Sequence, residues 1–159
     1  MPEKRLEFIN AVQEAAGQAL DQKVLQSLVG YNCRRAYLRI LPMFEKRMAK
    51  YQLRPVDFSV LSLLKANPSI NQKRLSEAVN VSPPNLATLL DKLQQRGLLQ
   101  RQRSPLDRRS QTLVLTTAGL VMCTRAEKTA SELEAEATAA LTDGERAQLI
   151  TLLQKIYLD

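Results

Sequence analysis

The stretch SPLDRRSQTLVLTTAG, residues 104 to 119, places an acid and two arginines, Asp107, Arg108 and Arg109, in a turn that alternating apolar residues follow. Proline and aspartate favour the turn, and the alternation is typical of a β-strand. An arginine at such a tip can enter the minor groove of a DNA duplex, where narrow A·T-rich stretches concentrate negative potential. Asp107 can pair with Arg109 and so limit the rotamer freedom that binding removes. These residues indicate binding to a polyanion, with Arg109 as the main contact.

The preceding stretch LLQRQR, residues 98 to 103, alternates in the same way, so the two stretches predict an antiparallel β-hairpin with a long tip. Arg101 and Arg103 are two residues apart, which places both on one face of the strand, within reach of phosphates that flank the groove. An exposed, charged hairpin with no ligand is the alternative interpretation.

Two short helices precede the hairpin. Asn71 is a candidate N-cap for the first and Ser82 for the second, where Pro83 suits the first helical position and Gly97 the end. Two capped helices joined by a tight turn predict a helix-turn-helix, and a hairpin directly after it makes a winged helix. The outward face of the second helix carries short polar side chains, as a helix in a major groove requires, although any amphipathic surface helix also has a polar face. These outward residues are Ser82, Pro84, Asn85, Thr88 and Lys92.

Composition and charge narrow the classes of protein. The 159 residues carry a net charge of +7 and include no histidine and only two cysteines. The basic excess falls between residues 30 and 112, which points to an anionic partner, nucleic acid ahead of a membrane surface or an acidic ligand. Without histidine, a glycine-rich phosphate loop or a carboxylate pair, we expect no enzyme, no cofactor and no metal site. The chain has no apolar run of membrane-spanning length and no signal peptide, which favours a cytoplasmic location.

The N-terminal part contains one long predicted helix. Apolar residues recur at helical spacing over residues 25 to 48, and Pro42 interrupts the pattern. Cys33 falls on this apolar stripe, so we expect a buried, inert thiol, with an oxidation-sensing thiol as the alternative. The opposite face is basic, and a solvated surface is the first explanation for it; it carries Arg35, Arg39, Lys46 and Lys50.

Two further helices are predicted after Thr117. The first has an apolar stripe whose small residues permit the close approach of another helix; the stripe is Ala126, Ala130, Leu133, Ala137 and Leu141. The second begins with Thr142 and Glu145, which form a capping box. These helices favour a dimer, and a helical hairpin that packs within one chain is the alternative. Residues 1 to 20 carry a weaker apolar stripe that could add a short helix to the assembly.

The region from LRPVDFSVLSLL to LTTAG resembles the MarR family of bacterial winged-helix regulators. The most specific element is the wing pattern, an Asp, any residue, an Arg, and then alternating apolar residues to Leu-Thr and a Gly; it comprises Asp107, Arg109, Leu113, Leu115, Thr116 and Gly119. The resemblance implies a mainly α fold with a small β-hairpin wing, formed as a single domain of residues 1–159. In it, residues 54–116 form the winged helix-turn-helix, and residues 1–50 and 117–159 form a helical dimerisation region. A homodimer that binds a palindromic operator in double-stranded DNA is implied as well.

The stretch GYNCRRAYLRI, residues 30 to 40, resembles the first long helix of MarR-type repressors that respond to hydroxycinnamoyl-coenzyme A or other aromatic-acid derivatives. By that resemblance the candidates for binding a carboxylate or coenzyme A phosphates are Arg34, Arg35, Tyr37 and Arg39. The implied function is a ligand-responsive repressor of aromatic-compound catabolism that an aromatic acid or its CoA thioester releases from DNA. A thiol-based redox sensor of the same fold and a non-regulatory architectural DNA-binding protein remain as alternatives.

Overall fold

Helices make up most of the chain that the computed structural model describes, which is residues 20–103 and 111–158. This part of the chain confirms the predicted fold class, mainly α with one antiparallel hairpin. A short 3-10 helix, Ala49–Tyr51, follows the long helix that ends at Met48. The elements in chain order are α1 (Lys23–Gln26), α2 (Val29–Met48), α3 (Pro55–Ala66), α4 (Gln72–Val79), α5 (Pro83–Gln95), β1 (Leu99–Arg103), β2 (Gln111–Leu115), α6 (Thr117–Ala137) and α7 (Asp143–Tyr157).

The described residues fall into two compact units, of which one ends at Tyr37 and the other begins at Leu38. The second unit contains the hydrophobic core, to which the end of α2, helices α3 to α6 and both strands contribute. This core holds the helix-turn-helix and the hairpin in one body. Its largest fully buried side chains include Met48, Leu61, Leu64, Leu75, Leu86, Leu90, Leu93, Leu99, Leu113 and Leu133.

The hairpin is hydrogen-bonded on both sides. Strands β1 and β2 pair in antiparallel register over their full lengths, as the alternating sequence predicts. On the other side of β2, Leu113 N donates to the Ile70 carbonyl at 3.1 Å, and Asn71 forms a β-bridge with Thr112. The segment that leads into α4 therefore extends the sheet by one short pairing and joins the hairpin to the helix-turn-helix.

The predicted caps are confirmed in all but one case. Asn71 Oδ1 accepts a hydrogen bond from Arg74 N at 2.9 Å, and Thr142 and Glu145 form the capping box of α7. Gly97 has a φ of 70°, the left-handed conformation that ends α5. Ser82 is the N-cap residue of α5 but makes no side-chain capping bond. The two prolines that follow it lack N–H groups, so this helix has fewer donors for a cap to satisfy.

The predicted helix over residues 25 to 48 is interrupted after Gln26. Ser27 Oγ donates to the Val24 carbonyl at 2.7 Å, and Asn32 Nδ2 donates to the carbonyls of Gln26 and Leu28, each at 2.8 Å. These side chains satisfy carbonyls that a continuous helix would bond internally, so a four-residue helix is separated from α2.

The apolar stripe of α2 is buried only at its C-terminal end, at Phe44 and Met48. Val29 and Tyr37 are more than half exposed, and Cys33 is exposed. The prediction of a buried Cys33 was wrong because burial of this stripe requires a partner surface, which the described residues of one chain do not supply.

The small-residue stripe of α6 is used within the chain rather than left for a second copy. Ala126 and Leu133 are fully buried in the core, where α6 packs along α3. An ion pair between Lys65 of α3 and Glu127 of α6 accompanies this packing. The sequence predicted that this stripe contacts either a dimer partner or α7. At Ala126 and Leu133 it does neither.

Candidate nucleic-acid interface

The candidate interface begins with helix α5, whose two faces differ sharply. One face is buried in the core and consists of Leu86, Leu89, Leu90 and Leu93. The sequence-predicted contact residues all lie on exposed positions of the same helix: Ser82, Pro84, Asn85, Thr88 and Lys92. Short polar groups at the N-terminal end of an exposed helix can reach the edges of bases in a major groove.

The C-terminal end of α5 is bonded to the junction between α2 and α3. Arg96 Nη1 donates to the Gln52 carbonyl at 2.9 Å, and Nη2 donates to the Tyr51 carbonyl at 2.7 Å. The Tyr51 hydroxyl in turn lies 3.0 Å from Thr129 Oγ1 of α6. Arg96 thus joins α5 to the junction between α2 and α3, which Tyr51 in turn connects to α6. This role of Arg96 was not predicted from the sequence, in which its one signal is the position directly before the helix-ending Gly97.

The hairpin is bonded to α5 through Arg101 of β1. Arg101 Nη1 donates to Gln94 Oε1 at 2.7 Å, and Nη2 donates to Asp91 Oδ1 at 2.6 Å. Its side chain is 25% exposed, so the guanidinium is directed along the protein surface rather than extended into solvent. A phosphate contact by Arg101 stays a prediction, and the structure adds a second role, the alignment of β1 with α5.

The predicted hairpin tip, with Asp107, Arg108 and Arg109, lies outside the described residues. Arg103 is the last described residue of β1, where its backbone pairs with Gln111. The structure therefore positions the two strands that lead to the tip.

The Leu-Thr-x-x-Gly end of the wing pattern has a structural role. Thr116 Oγ1 accepts from Gly119 N at 3.0 Å, which caps α6, and donates to the Gly97 carbonyl at 2.6 Å. A Cβ atom on Gly119 would lie 1.9 Å from the Leu98 carbonyl oxygen, so only glycine allows this approach. These contacts join the start of α6 to the turn between α5 and β1.

A buried acid orients an arginine at the start of α3. Arg54 Nε and Nη2 donate to the two carboxylate oxygens of Asp57, each at 2.9 Å, and Arg54 N donates to the same carboxylate at 3.0 Å. Burial alone would raise the pKa of Asp57, but the hydrogen bonds and charge of Arg54 outweigh it and hold that pKa below its ordinary value. Neither Arg54 nor Asp57 was among the residues predicted from the sequence.

Comparisons with known proteins agree with this geometry. Residues 53–111 match the model of the MarR family. A solved structure of the transcriptional repressor CouR bound to a 23-mer DNA duplex is 40% identical, covers 87% of this chain and 99% of its own, and superposes with a TM-score of 0.80. This chain belongs to the MarR family. A CouR structure bound to p-coumaroyl-CoA is 37% identical over 89% of this chain and 99% of its own, with a TM-score of 0.75.

A more distant relative is a transcriptional regulatory protein for the hcr operon of Thauera aromatica. It is 28% identical over 130 residues, which are 81% of this chain and 78% of that protein. The chain is therefore a MarR-family transcriptional regulator, and its relatives are regulators rather than enzymes.

The candidate effector residues of this MarR-family chain lie along α2. Arg34, Arg35, Tyr37 and Arg39 are all exposed, and none of the three arginines pairs with a described carboxylate. Arg39 belongs to the second compact unit and the other three to the first. The structure thus places all four residues at exposed positions of one helix.

A separate cavity of about 680 Å³ lies where the 3-10 helix after α2 meets the N-terminal half of α6. Apolar side chains of Val121 and Met122 line it together with the cations Lys50 and Arg125. Apolar side chains with cations at the edge suit a small aromatic carboxylate. This cavity is therefore a second candidate site for the effector, beside the arginines of α2.

The described part of the chain shows no cluster of metal-binding side chains, and one of its two cysteines is buried. Residues 20–103 and 111–158 contain no group of acids and cysteines that could hold a metal ion, and no helix among them is long and apolar enough to cross a membrane. Burial raises the pKa of the Cys123 thiol to about 11, which keeps this cysteine protonated and unreactive.

Proposed function

We propose that this MarR-family regulator is a homodimeric repressor that binds a palindromic operator and is released by an aromatic acid or its CoA thioester. The observation that carries the proposal is the exposed polar face of α5, together with the two hydrogen bonds by which Arg101 connects this helix to β1. This arrangement presents a recognition helix and a wing from one body. The DNA-bound structure of the 40% identical CouR supports it.

Helix α5 supplies the contacts to bases. Ser82, Pro84 and Asn85 open the helix, Thr88 lies one turn further on, and Lys92 follows after another turn. The first residues enter the major groove, and Lys92 reaches a phosphate. The wing enters the adjacent minor groove with Arg109, while Asp107 orients that arginine and Arg108 and Arg103 contact the backbone.

The second copy of this chain is recruited by apolar surface outside the core. Helix α7 has no buried residue, although it carries a row of large apolar side chains. Contiguous exposed apolar surface of this kind marks an interaction site. With residues 1–50 and 117–159 as the dimerisation region, two recognition helices would be about 34 Å apart and the half-sites about 10 bp apart. The exposed apolar side chains of α7 and its end are Leu149, Ile150, Leu152, Ile156, Tyr157 and Leu158.

The effector binds the arginine-rich helix α2, where guanidinium groups suit a carboxylate or the phosphates of coenzyme A. The CouR structure bound to p-coumaroyl-CoA supports this class of ligand. A ligand that binds the DNA-free state more tightly shifts the population away from the DNA-bound state. Substitution of Arg35 and Arg39 by alanine should then weaken binding of the ligand. If these variants are still released from DNA by the ligand and Arg125→Ala is not, the effector binds in the cavity beside α6 instead.

The proposal is tested by selection of duplexes from a random pool, followed by fluorescence anisotropy on the selected sequence. We expect a palindromic sequence to be enriched, and an aromatic acid or its CoA thioester to release it and to raise the melting temperature of the free protein. Coenzyme A and acetyl-CoA are the controls for the aromatic group. If no sequence is enriched, the protein is better explained as an architectural DNA-binding protein. If no aromatic compound releases the protein from DNA, the proposed class of effector is wrong.

A further inference from the structure

A small cavity lies beside the outward face of α5. It has a volume of about 380 Å³ and lies between the N-terminal end of α3 and the recognition helix. We refer to it as the α3–α5 notch; its lining includes Arg54, Val56, Val81, Asn85, Thr88 and Lys92. Two of these side chains are cations and two are short polar groups, so the notch can offer charge and hydrogen-bond donors to an anion.

Arg54 enters the notch in a defined orientation. Its Nε and Nη2 atoms donate to Asp57, whose side chain is 10% exposed, whereas the side chain of Arg54 itself is 63% exposed. The buried carboxylate therefore holds one edge of the guanidinium and leaves the group at the surface. Orientation by a buried acid removes rotamer freedom before any ligand binds.

The other edge of the guanidinium, formed by Nη1 and Nη2, matches the spacing of two phosphate oxygens. Nη1 has no hydrogen-bond partner among residues 20–103 and 111–158. Lys92 supplies a second cation, so the notch keeps a positive charge after Asp57 neutralises one of the two. Asp91, the acid next to Lys92 in sequence, is bonded to Arg101.

We propose that Arg54 and Lys92 together bind one phosphate of the DNA strand that borders the major groove occupied by α5, and that Asp57 is a positioning residue for Arg54. This inference rests on the proposed function and adds a contact outside the recognition helix and the wing. A phosphate contact carries no sequence information, so it contributes equally to operator and non-operator DNA.

The first test compares Arg54→Ala with the wild type by anisotropy on the selected operator and on a scrambled duplex, over a series of salt concentrations. We expect binding to both duplexes to weaken by a similar factor of about tenfold, and the dependence of log K on log salt to fall by about one per subunit. Lys128→Ala is the matched control, because Lys128 is an exposed cation of α6 outside the notch. Unchanged affinity and salt dependence in Arg54→Ala would overturn the inference.

A second test compares losses of affinity within each protein, so that a general weakening of Arg54→Ala cancels out. Single phosphates of the operator are replaced by uncharged methylphosphonates, and the loss of affinity at each position is measured with both proteins. At one phosphate per half-site the loss seen with the wild type should largely disappear in Arg54→Ala. An identical pattern of losses for the two proteins would overturn the inference, whereas failure of the wild type to bind any duplex would overturn the proposed function with it.

Asp57→Asn tests the positioning role. If Asp57 only cancelled the charge of Arg54, the neutral amide would tighten DNA binding. If it orients the guanidinium, the substitution should weaken binding, by less than Arg54→Ala does, with little change in the salt dependence. Melting curves of the free variants confirm that each is folded at the assay temperature, and tighter binding by Asp57→Asn would exclude the positioning role.

Discussion

The winged helix of this chain and its C-terminal helix differ in what they do with their apolar side chains. In α3 to α6 and the hairpin, leucines such as Leu90 and Leu113 are buried within one chain. Helix α7 buries no residue, and Leu152 and Ile156 are more than half exposed. The first region is complete by itself, whereas the second requires another surface. We therefore expect the DNA-contacting body to fold within one subunit, and the exposed apolar residues of α7 to contribute to the dimer interface.

The largest effects should separate these two regions. Leu90→Ala removes a fully buried side chain and should cost about 2–5 kcal/mol of unfolding free energy at any protein concentration. Leu152→Asp should instead leave the fold of a dilute subunit intact and abolish dimerisation, since a charge cannot be buried unpaired in an apolar interface. Chemical denaturation and analytical ultracentrifugation measure the two outcomes.

Gln154→Asp is the control for Leu152→Asp, because it adds the same charge to an exposed polar position of α7. Survival of the dimer in Leu152→Asp, or its loss in Gln154→Asp as well, would mean that burial of the apolar residues of α7 does not hold the dimer together.

The junction between α5, β1 and α6 should be nearly as sensitive as the core. Gly119→Ala places a methyl group against the Leu98 carbonyl, and the resulting overpacking should cost about 3 kcal/mol. Ala118→Gly, at an exposed neighbouring position of the same helix, should cost about 1 kcal/mol through helix propensity alone. Thermal unfolding of both variants checks the difference, and equal losses would mean that α6 does not approach the backbone this closely.

Within the DNA-contacting body, substitutions at the tip and at the base of the wing should weaken DNA binding for different reasons. Arg109→Ala should cost about 1–3 kcal/mol of operator binding through loss of the minor-groove contact. Arg101→Ala should weaken operator and scrambled duplexes alike, because the predicted phosphate contact of Arg101 carries no sequence information. Loss of its bonds to Asp91 and Gln94 would in addition loosen the wing on either duplex. Anisotropy at fixed salt measures both, and unchanged affinity in both variants would refute the wing assignment.

A smaller effect should appear with acidification. The pKa of Asp57 is lowered in the folded protein, so its carboxylate contributes stability above its ordinary pKa, and this contribution is lost as pH falls through the lowered value. The difference in unfolding free energy between the wild type and Asp57→Asn should therefore shrink as the solution becomes acidic. A difference that stays constant or grows at low pH would mean that Arg54 does not stabilise the charged form.

The smallest expected effect is at Cys33. Although this thiol is exposed, we expect Cys33→Ser to keep both operator binding and the response to an aromatic ligand. DNA binding measured with and without peroxide checks this. Loss of a peroxide response in the variant alone would favour the thiol-based sensor over the ligand-responsive repressor.

Local signals predicted the helix caps and the two strands of the hairpin. Asn71, Gly97 and the Thr142–Glu145 pair act on residues within a few positions of themselves, and the alternation of the strands needs only the hairpin turn, so the sequence alone sufficed for them. The recognition-helix residues follow from the same logic, since the buried leucines of α5 leave one face exposed.

What could not be predicted depends on partners distant along the chain. Arg96 binds carbonyls of Tyr51 and Gln52, more than forty positions away, and no local pattern marks such a contact. The exposure of Cys33 and the burial of Ala126 depend on which helices pack together, which periodicity does not determine. Arg54 was missed because a basic residue at a helix start has no distinct signature.

The most direct measurement is a hydroxyl-radical footprint of the wild type and of Arg109→Ala on the selected operator. The wild type should protect two half-sites centred about 10 bp apart, each with a protected minor groove beside the major groove that α5 occupies. Arg109→Ala should lose the minor-groove protection and keep the rest. A single unpaired protected region, or a minor groove equally protected in both proteins, would contradict a dimer that reads DNA with α5 and the wing together.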